Sequence, residues 1–208
     1  MIYICAGLFA EGKTDYHFLL GLLDQLLPEI ASTLFGSISE VAPSIGIDAP
    51  STTKIARRDQ RIASAIDGSW RECTLFVVHS DGGGDPVHAR AMQVEPGLGI
   101  ARVQHPDLAA AACVPVREIE AWMLADADAF GRIFETRHVP VLPGDPEKVP
   151  DPKRALKDLL RSLGSGADDY YGLLGREVRP SALRRLPAFV RFEAELQSAV
   201  RLVGGQRA

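Results

Sequence analysis

The stretch from Ile2 to Leu27 combines an apolar run with an amphipathic segment. Residues 2–10 read IYICAGLFA, and such an apolar run predicts a strand buried on both faces, as in parallel sheets covered by helices. Apolar side chains then recur at helical spacing, at Phe18, Leu19, Leu22, Leu23, Leu26 and Leu27. This spacing predicts a helix that is capped by Thr14 or Asp15.

Strand and helix patterns alternate along the rest of the chain. Residues 74–78 and 111–116 are apolar and predict two further inner strands. Helical periods run through residues 51–70, 118–130, 153–163 and 187–203. Proline and glycine are expected to prevent a long element over residues 95–110. The alternation predicts a Rossmann-like α/β fold, with a mainly parallel sheet flanked by helices and a helical C-terminal part.

Length and composition are those of an ordinary globular domain. The 208 residues are 46% hydrophobic and 24% charged. We expect an α/β domain over residues 1–135 and, over residues 136–208, a loop and helical extension packed on it. No apolar run reaches the roughly 18 residues that span a bilayer, and the N-terminus does not resemble a secretion signal. These features predict a cytoplasmic protein without a membrane partner.

The net charge of −4 argues against a tight, free-standing nucleic-acid binder, because affinity for the phosphate backbone comes mainly from clustered Lys and Arg. Two predicted helices carry basic residues, which are Arg57, Arg58 and Arg61 on one and Lys153, Arg154, Lys157 and Arg161 on the other. Such runs are most often solvated helix faces. A nucleic-acid partner would therefore be bound without a strong basic surface. The three cysteines lie in apolar stretches and are interpreted as buried thiols.

The EGKTD turn at residues 11–15 fits two chemistries. Residues 7–14, GLFAEGKT, match the pattern G-x-x-x-x-G-K-[ST], in which Lys13 would reach the phosphates of a nucleotide and Thr14 a magnesium ion. However, apolar residues occupy positions where backbone N–H groups should wrap phosphate, and Glu11 would repel the ligand. A carboxylate at the end of a strand is well placed to hold a metal ion or to transfer a proton. Glu11 is therefore favoured as the active group.

A second acidic residue closes a later strand. Residues 73–81 read CTLFVVHSD, so that Asp81 ends the strand, and three glycines separate it from Asp85. Glycines let the chain turn sharply and approach a ligand closely, and Asp85 with the proline after it predicts the start of a helix. His79 in a His-x-Asp strand end could bind manganese or zinc, but a hydrogen-bonded structural histidine is the favoured interpretation.

Together these motifs resemble a known family. The EGKTD turn resembles the opening motif of Toprim domains, the topoisomerase–primase module shared with the OLD-family nucleases, and Asp81 resembles their second acidic element. A closer resemblance is to a Toprim-like family of unknown function with the motifs EG-x-T-[DE], E-x-E-A-W and D-P-K. Residues 118–122 here read EIEAW and residues 151–153 read DPK. Toprim domains usually carry D-x-D where this chain reads HSD.

The resemblance implies a Toprim-like fold, nuclease chemistry with magnesium or manganese, a nucleic-acid substrate and, in many such proteins, an ATPase partner in phage defence. The predicted metal ligands are Glu11, Asp81, Asp85 and Glu120. The predicted catalytic residues are Glu11, Asp81 and Lys13, and the predicted phosphate-binding residues are Gly12, Lys13, Thr14 and Lys153. On an ideal helix Glu118 and Glu120 point in different directions, so only one is expected to face the site, and the resemblance selects Glu120.

Two other functions fit the sequence. The incomplete acidic motif and the acidic net charge favour a non-catalytic Toprim-like scaffold that binds a partner protein. The match at residues 7–14 leaves a second alternative, which is a nucleotide-binding protein with a phosphate loop.

Overall fold

The N-terminal apolar run forms two short strands rather than one. A computed structural model describes residues 1–51, 56–136, 139–164 and 170–205. Strand β1 (Ile2–Ile4) pairs in parallel with β3 (Ser39–Val41), whereas β2 (Ala6–Phe9) belongs to a separate four-stranded sheet. At the break, the N–H of Cys5 donates to the Thr74 hydroxyl at 3.0 Å. The chain therefore changes sheet at Cys5, which the apolar pattern did not predict.

The four-stranded sheet carries the ends of the two acidic motifs. Its order is β4 (Ile45–Gly46), β2, β5 (Leu75–His79) and β6 (Ala110–Cys113), and these strands pair in parallel. Phe9 of β2 lies opposite Val78 of β5. The predicted parallel α/β architecture is confirmed. The carboxyl ends of β2 and β5 lie side by side, where open parallel sheets bind ligands.

Helices cover both faces of this sheet. They are α1 (Lys13–Phe35), α2 (Arg58–Gly68), α3 (Pro86–Ala89), α4 (Glu95–Gln104), α5 (Glu120–Met123), α6 (Ala127–Ile133), α7 (Pro152–Ser162), α8 (Tyr171–Glu177), α9 (Pro180–Leu183) and α10 (Pro187–Gly205). A π-helical segment, Arg90–Val94, joins α3 to α4. Along β2, Leu8 belongs to one buried apolar cluster and Phe9 to the other. The predicted burial of this strand on both faces is therefore confirmed.

Helix α1 is the predicted amphipathic helix, and its apolar stripe is buried, namely Phe18, Leu19, Leu22, Leu23, Leu26 and Leu27. The predicted cap is wrong, because Gly12 is the N-cap residue and the Asp15 carboxylate accepts its N–H at 2.8 Å. Contrary to expectation, Lys13–Ile38, which has 26 residues, contains an 18-residue window that is apolar enough for a membrane span, with a mean hydropathy of 1.4. Its apolar residues, however, form part of the buried core.

Two predicted boundaries in the middle of the chain are wrong. Helix α2 covers only Arg58–Gly68 of the predicted residues 51–70, and residues 52–55 lie outside the described part of the chain. Residues 95–104 form a helix despite a proline and two glycines. The proline lies in the first turn of α4, where no N–H is needed. Gly97 lets α4 approach α2, since a Cβ there would lie 2.7 Å from Ile62 Cβ.

Residues 118–130 form two short helices rather than one. Helix α5 ends at Met123, and Asp126 precedes α6 with an extended backbone. Trp122 is buried and lies edge-on to Phe189 of α10, with ring centroids 5.3 Å apart. The amphipathic helices predicted over residues 153–163 and 187–203 are confirmed as α7 and α10.

The Asp126 carboxylate at this break forms an ion pair that makes stability depend on pH. Arg179 donates to it through Nε at 2.8 Å and Nη2 at 2.7 Å. Burial opposes the charge of Asp126, but these hydrogen bonds outweigh it and hold the pKa of Asp126 below its ordinary value of 3.8. The ion pair therefore stabilises the fold at pH values above the ordinary pKa of the carboxyl group. Its contribution to the free energy of unfolding is lost as the pH falls through the lower pKa that Asp126 has in the folded state.

We expect Asp126→Asn to lower the free energy of unfolding by about 2 to 3 kcal/mol at pH 7, because it removes a charged hydrogen-bond acceptor. Urea unfolding at pH 7, 5 and 3 measures the effect, and the gap to the wild type should narrow at pH 3. Asp128→Asn is the matched control: Asp128 contacts the same arginine at 2.6 Å, but its side chain is 57% exposed. An equal loss in both variants would contradict the special role of Asp126.

Candidate functional site

Glu11 lies at the carboxyl end of β2, beside the end of β5. The Ser80 hydroxyl donates to Glu11 Oε1 at 2.8 Å, as expected when Phe9 pairs with Val78 two residues earlier on both strands. Asp81 follows Ser80 directly. The two acids that were each predicted to follow a strand therefore lie at the ends of neighbouring parallel strands.

A third acid, Asp15, lies near the same histidine as Asp81. We refer to Glu11, Asp15 and Asp81 as the carboxylate cluster. His79 Nε2 lies 3.5 Å from Asp81 Oδ1 and 3.8 Å from Asp15 Oδ2. Burial is the largest influence on Asp15 and raises its pKa, while the nearby charge of His79 lowers it and that of Asp81 raises it. The first turn of α1 and the end of β5 thus meet around one histidine ring.

His79 is fully buried and held by its other ring nitrogen. Nδ1 lies 2.9 Å from the Cys113 carbonyl oxygen, which can only accept, so Nδ1 carries a proton. Burial disfavours a charged ring, but the contacts with Asp81, Cys113 and Asp15 overcome this and raise the pKa of His79. The predicted structural role is confirmed by the bond to β6, and Nε2 also faces the carboxylates.

Arg58 of α2 closes one side of the cluster. Its Nη2 lies 3.2 Å from Glu11 Oε1 and donates to the His79 carbonyl at 2.8 Å, and its Nε donates to the Gln93 carbonyl at 3.0 Å. Burial lowers the pKa of Arg58, which the charge of Glu11 partly offsets. The expectation of a solvated helix face is therefore wrong for Arg58, whose side chain is only 24% exposed.

Lys153, at the start of α7, faces the site from the other side. Its Nζ lies 3.7 Å from Glu120 Oε1, and Glu118 Oε2 accepts the N–H of Lys153 at 3.3 Å. Partial burial lowers the pKa of Lys153, but the surrounding acids outweigh this and raise it, namely Glu120, Glu118, Asp15 and Asp81. Both glutamates thus contact Lys153, and the expectation that only one of them faces the carboxylate cluster stays a prediction. Glu118 precedes α5, so the ideal helical angle does not apply.

Glu120 itself is buried, at 2% exposure, and Tyr171 of α8 donates a hydrogen bond to its Oε1 at 2.9 Å. Burial raises the pKa of Glu120, although the Tyr171 hydroxyl and the charge of Lys153 lower it. The carboxylate is thus engaged with a tyrosine and a lysine. Its assignment as a metal ligand stays a prediction.

The start of α1 lacks the shape of a phosphate loop, which argues against the nucleotide-binding interpretation. The residues between strand and helix are only Ala10, Glu11 and Gly12, because residues 7–9 belong to β2. A chain paired within a sheet cannot wrap phosphate with its N–H groups. Lys13 and Thr14 occupy the first turn of α1, where their predicted contact with a phosphate requires no such loop.

The glycine turn after Asp81 packs tightly against the loop that follows β6. A Cβ on Gly82 would lie 2.0 Å from the Pro115 carbonyl oxygen, and the Gly82 N–H donates to Arg117 O at 2.7 Å. Asp85 then begins α3 as predicted, and its Oδ1 accepts the His88 N–H at 3.0 Å. This cap accounts for Asp85 structurally, and its role as a metal ligand also stays a prediction.

The fit of a divalent metal ion rests on the carboxylate oxygens, which are the ligands that magnesium prefers. Asp81 Oδ1 and His79 Nε2 are buried and form no hydrogen bond, but they face each other as an ion pair at 3.5 Å, so a bound ion would have to draw Asp81 away from the histidine. Among the described residues, no three His, Cys, Asp or Glu side chains are arranged to enclose an ion. Magnesium is often held by only one or two carboxylates, with water and substrate completing its shell. The residues therefore suit an open magnesium site rather than a closed cage.

Three site residues were not predicted from the sequence. Asp15 was interpreted as a helix cap. Its position as the last residue of the EGKTD motif was the feature that could have identified it as a site residue. Arg58 stood in a basic run without any distinguishing pattern. Tyr171 lies far along the chain from its partner Glu120, and nothing in the sequence connects the two.

The fold and site define a mixed α/β protein with a carboxylate cluster at the ends of two parallel strands. The sequence matches a domain of unknown function, DUF4276, over residues 10–197, which is most of the 208-residue chain. The chain belongs to this family. Neither a curated protein nor a solved structure shows a significant match.

Proposed function

We propose that this protein is a Toprim-like, divalent-metal-dependent enzyme that cleaves phosphodiester bonds. One observation carries the proposal: Glu11 and Asp81 occupy the ends of adjacent parallel strands, with Asp15 beside them. The motif resemblance extends the proposal to a nucleic-acid substrate and to an ATPase partner in phage defence. A cytoplasmic location stays a prediction from the hydropathy of the sequence.

The site residues have distinct roles in this proposal. Glu11 is 37% exposed and can accept a proton from the attacking water. Lys153 and Lys13 would neutralise phosphate charge at the rim, with Thr14 offering its N–H group at the start of α1. The Gly12 N–H already donates to Asp15, so a phosphate contact of Gly12 would require that bond to open. Asp81 and Glu11 would hold magnesium or manganese, with Asp85 and Glu120 as further predicted ligands. The ion would stabilise the charge that develops on the phosphoryl oxygens.

The alternative is a non-catalytic scaffold, and the Arg58 contact favours it. Arg58 lies 3.2 Å from Glu11 Oε1 and would compete with a metal ion for that carboxylate. A scaffold retains this ion pair and gains no stability from metal. In an enzyme, by contrast, Glu11 must leave its ion pair with Arg58 and bind a metal ion. Because the metal would bind only the folded protein, it should raise the melting temperature.

The test is cleavage by the purified chain of supercoiled plasmid DNA and of end-labelled single-stranded DNA and RNA, with Mg²⁺, Mn²⁺ or EDTA. We expect cleavage of at least one probe with a metal ion and none in EDTA. Absence of cleavage, together with an unchanged melting temperature in Mn²⁺, would contradict the proposal and favour the scaffold.

A further inference from the structure

We propose that Glu118, Glu120 and Tyr171 are positioning residues that aim the ammonium group of Lys153 at the carboxylate cluster, where it meets the phosphate of the substrate. The inference rests on the proposed phosphodiester chemistry for the use of Lys153. It gives the EIEAW and DPK motifs one shared role. It also gives Glu120 a role other than metal ligand.

The backbone of the DPK segment is fixed first. Asp151 is the N-cap of α7, and its Oδ1 accepts the Arg154 N–H at 2.8 Å. Pro152 occupies the first helical position, which its ring geometry suits. Lys153 comes next, and its own N–H donates to Glu118 Oε2 at 3.3 Å. Glu118 therefore ties the first turn of α7 to the segment before α5.

The side chain of Lys153 is fixed by a second glutamate. Glu120 Oε1 lies 3.7 Å from Nζ, a distance that is an ion pair rather than a hydrogen bond. The same oxygen accepts the Tyr171 hydroxyl at 2.9 Å. Tyr171 is fully buried, so its ring is immobile and its hydroxyl holds the carboxylate in one orientation. Glu120 can then direct the ammonium without moving itself.

The charge of the lysine is influenced by acids of the carboxylate cluster. Asp15 and Asp81 act on Lys153 as well as Glu120 and Glu118, so the ammonium lies within electrostatic reach of the carboxylate cluster. Nearly half of the side chain is exposed, at 47%, and can meet a ligand. By contrast, the next basic residue, Arg154, is 79% exposed and pairs with Asp158 on the outer face of α7. Of these two basic residues, Lys153 is thus the one that lies near the site.

The first experiment measures positioning without any substrate. The full-length chain is treated with an amine-reactive acetylating reagent, and mass spectrometry compares the rate at Lys153 with that at Lys157, one turn along the same helix. We expect the ratio of the Lys153 rate to the Lys157 rate to rise about two- to fivefold in Tyr171→Phe and in Glu120→Gln, because an ammonium group without its ion pair is freer to react. This is the range for loss of a partly exposed ion pair. Tyr171→Phe keeps the buried ring, and circular dichroism checks that both variants fold. An unchanged ratio in both folded variants would overturn the positioning role.

The second experiment measures the use of Lys153 with a single-stranded DNA oligonucleotide in Mn²⁺. We expect Lys153→Ala and Tyr171→Phe each to raise KM about two- to fivefold with little change in kcat, because both weaken one ground-state phosphate contact. Lys157→Ala is the control. In the double variant, adding Tyr171→Phe to Lys153→Ala should not raise KM further, because Tyr171 acts only through Lys153. Additive losses would overturn action through Lys153.

The two proposals fail in different ways. If Glu120→Gln raises the Mn²⁺ concentration needed for half-maximal cleavage, then Glu120 acts on the metal and the positioning role is overturned, while the phosphodiester chemistry stands. If the wild type cleaves no probe but the acetylation ratio changes as expected, the proposed function fails and the positioning of Lys153 is supported.

Discussion

Glu11→Gln should reduce metal-dependent cleavage by about 10²- to 10⁴-fold, the usual contribution of a general acid or base. Glutamine has nearly the shape of glutamate and can still accept the Ser80 hydroxyl, which lies 2.8 Å from Oε1 in the wild type. It cannot accept a proton and binds a divalent cation poorly. Initial rates on the best nucleic-acid probe, at saturating Mg²⁺, measure the change.

Folding and charge need separate controls in this experiment. Glu72→Gln removes the same charge from an exposed residue outside the site and should leave the rate unchanged. Since Glu11 is partly exposed, the melting temperature of Glu11→Gln without metal should stay near that of the wild type. A Glu11→Gln variant that cleaves at the wild-type rate would remove Glu11 from the mechanism.

Gly175→Ala should destabilise the fold by about 3 kcal/mol, at the upper end of overpacking effects. Helices α1 and α8 approach so closely that a Cβ on Gly175 would lie 2.2 Å from the Phe18 carbonyl oxygen. Gly21 of α1 faces the same contact, and a Cβ there would lie 2.8 Å from the Gly175 carbonyl carbon. Backbone atoms cannot move aside as a flexible side chain can, so the two helices must separate.

Gly172→Ala is the matched control on the same helix, because the nearest atoms to a Cβ there lie 3.8 Å away. Alanine restricts the unfolded chain and favours a helix, so this variant should be neutral or more stable by up to about 1 kcal/mol. Urea unfolding of both variants gives the comparison. Similar stability of the two would show that α1 and α8 are not in backbone contact. Because α8 carries Tyr171, Gly175→Ala should also loosen its bond to Glu120.

The parts of the fold that the sequence predicts well are those with strong periodicity. Helix α1 and strand β5 are long, apolar and locally determined, so their positions follow from pattern alone. The meeting of Glu11 and Asp81 was also predictable, because parallel strands bring their carboxyl ends to one edge. Cys5 shows the limit of this reasoning. Its break in the strand depends on a bond to Thr74, which is distant in sequence.

The parts of the site that were missed depend on tertiary contacts. Arg58 has the sequence context of a solvated helix face, yet α2 packs so that its guanidinium reaches Glu11 and the His79 carbonyl. Likewise, residues 118–130 have one continuous helical period, but the tertiary ion pair of Asp126 with Arg179 accompanies a break between α5 and α6. Periodicity describes which face is buried and carries no information about such partners.

The central claim, that the carboxylate cluster binds a divalent cation, is tested most directly by a crystal grown in Mn²⁺ and measured at the manganese absorption edge. The account predicts an anomalous peak beside Asp81, with Glu11 turned from Arg58 toward the ion. Asp81→Asn crystals grown in the same way should lose the peak. A wild-type crystal without a peak at Glu11, Asp15 or Asp81, and with the Arg58 ion pair intact, would contradict the account.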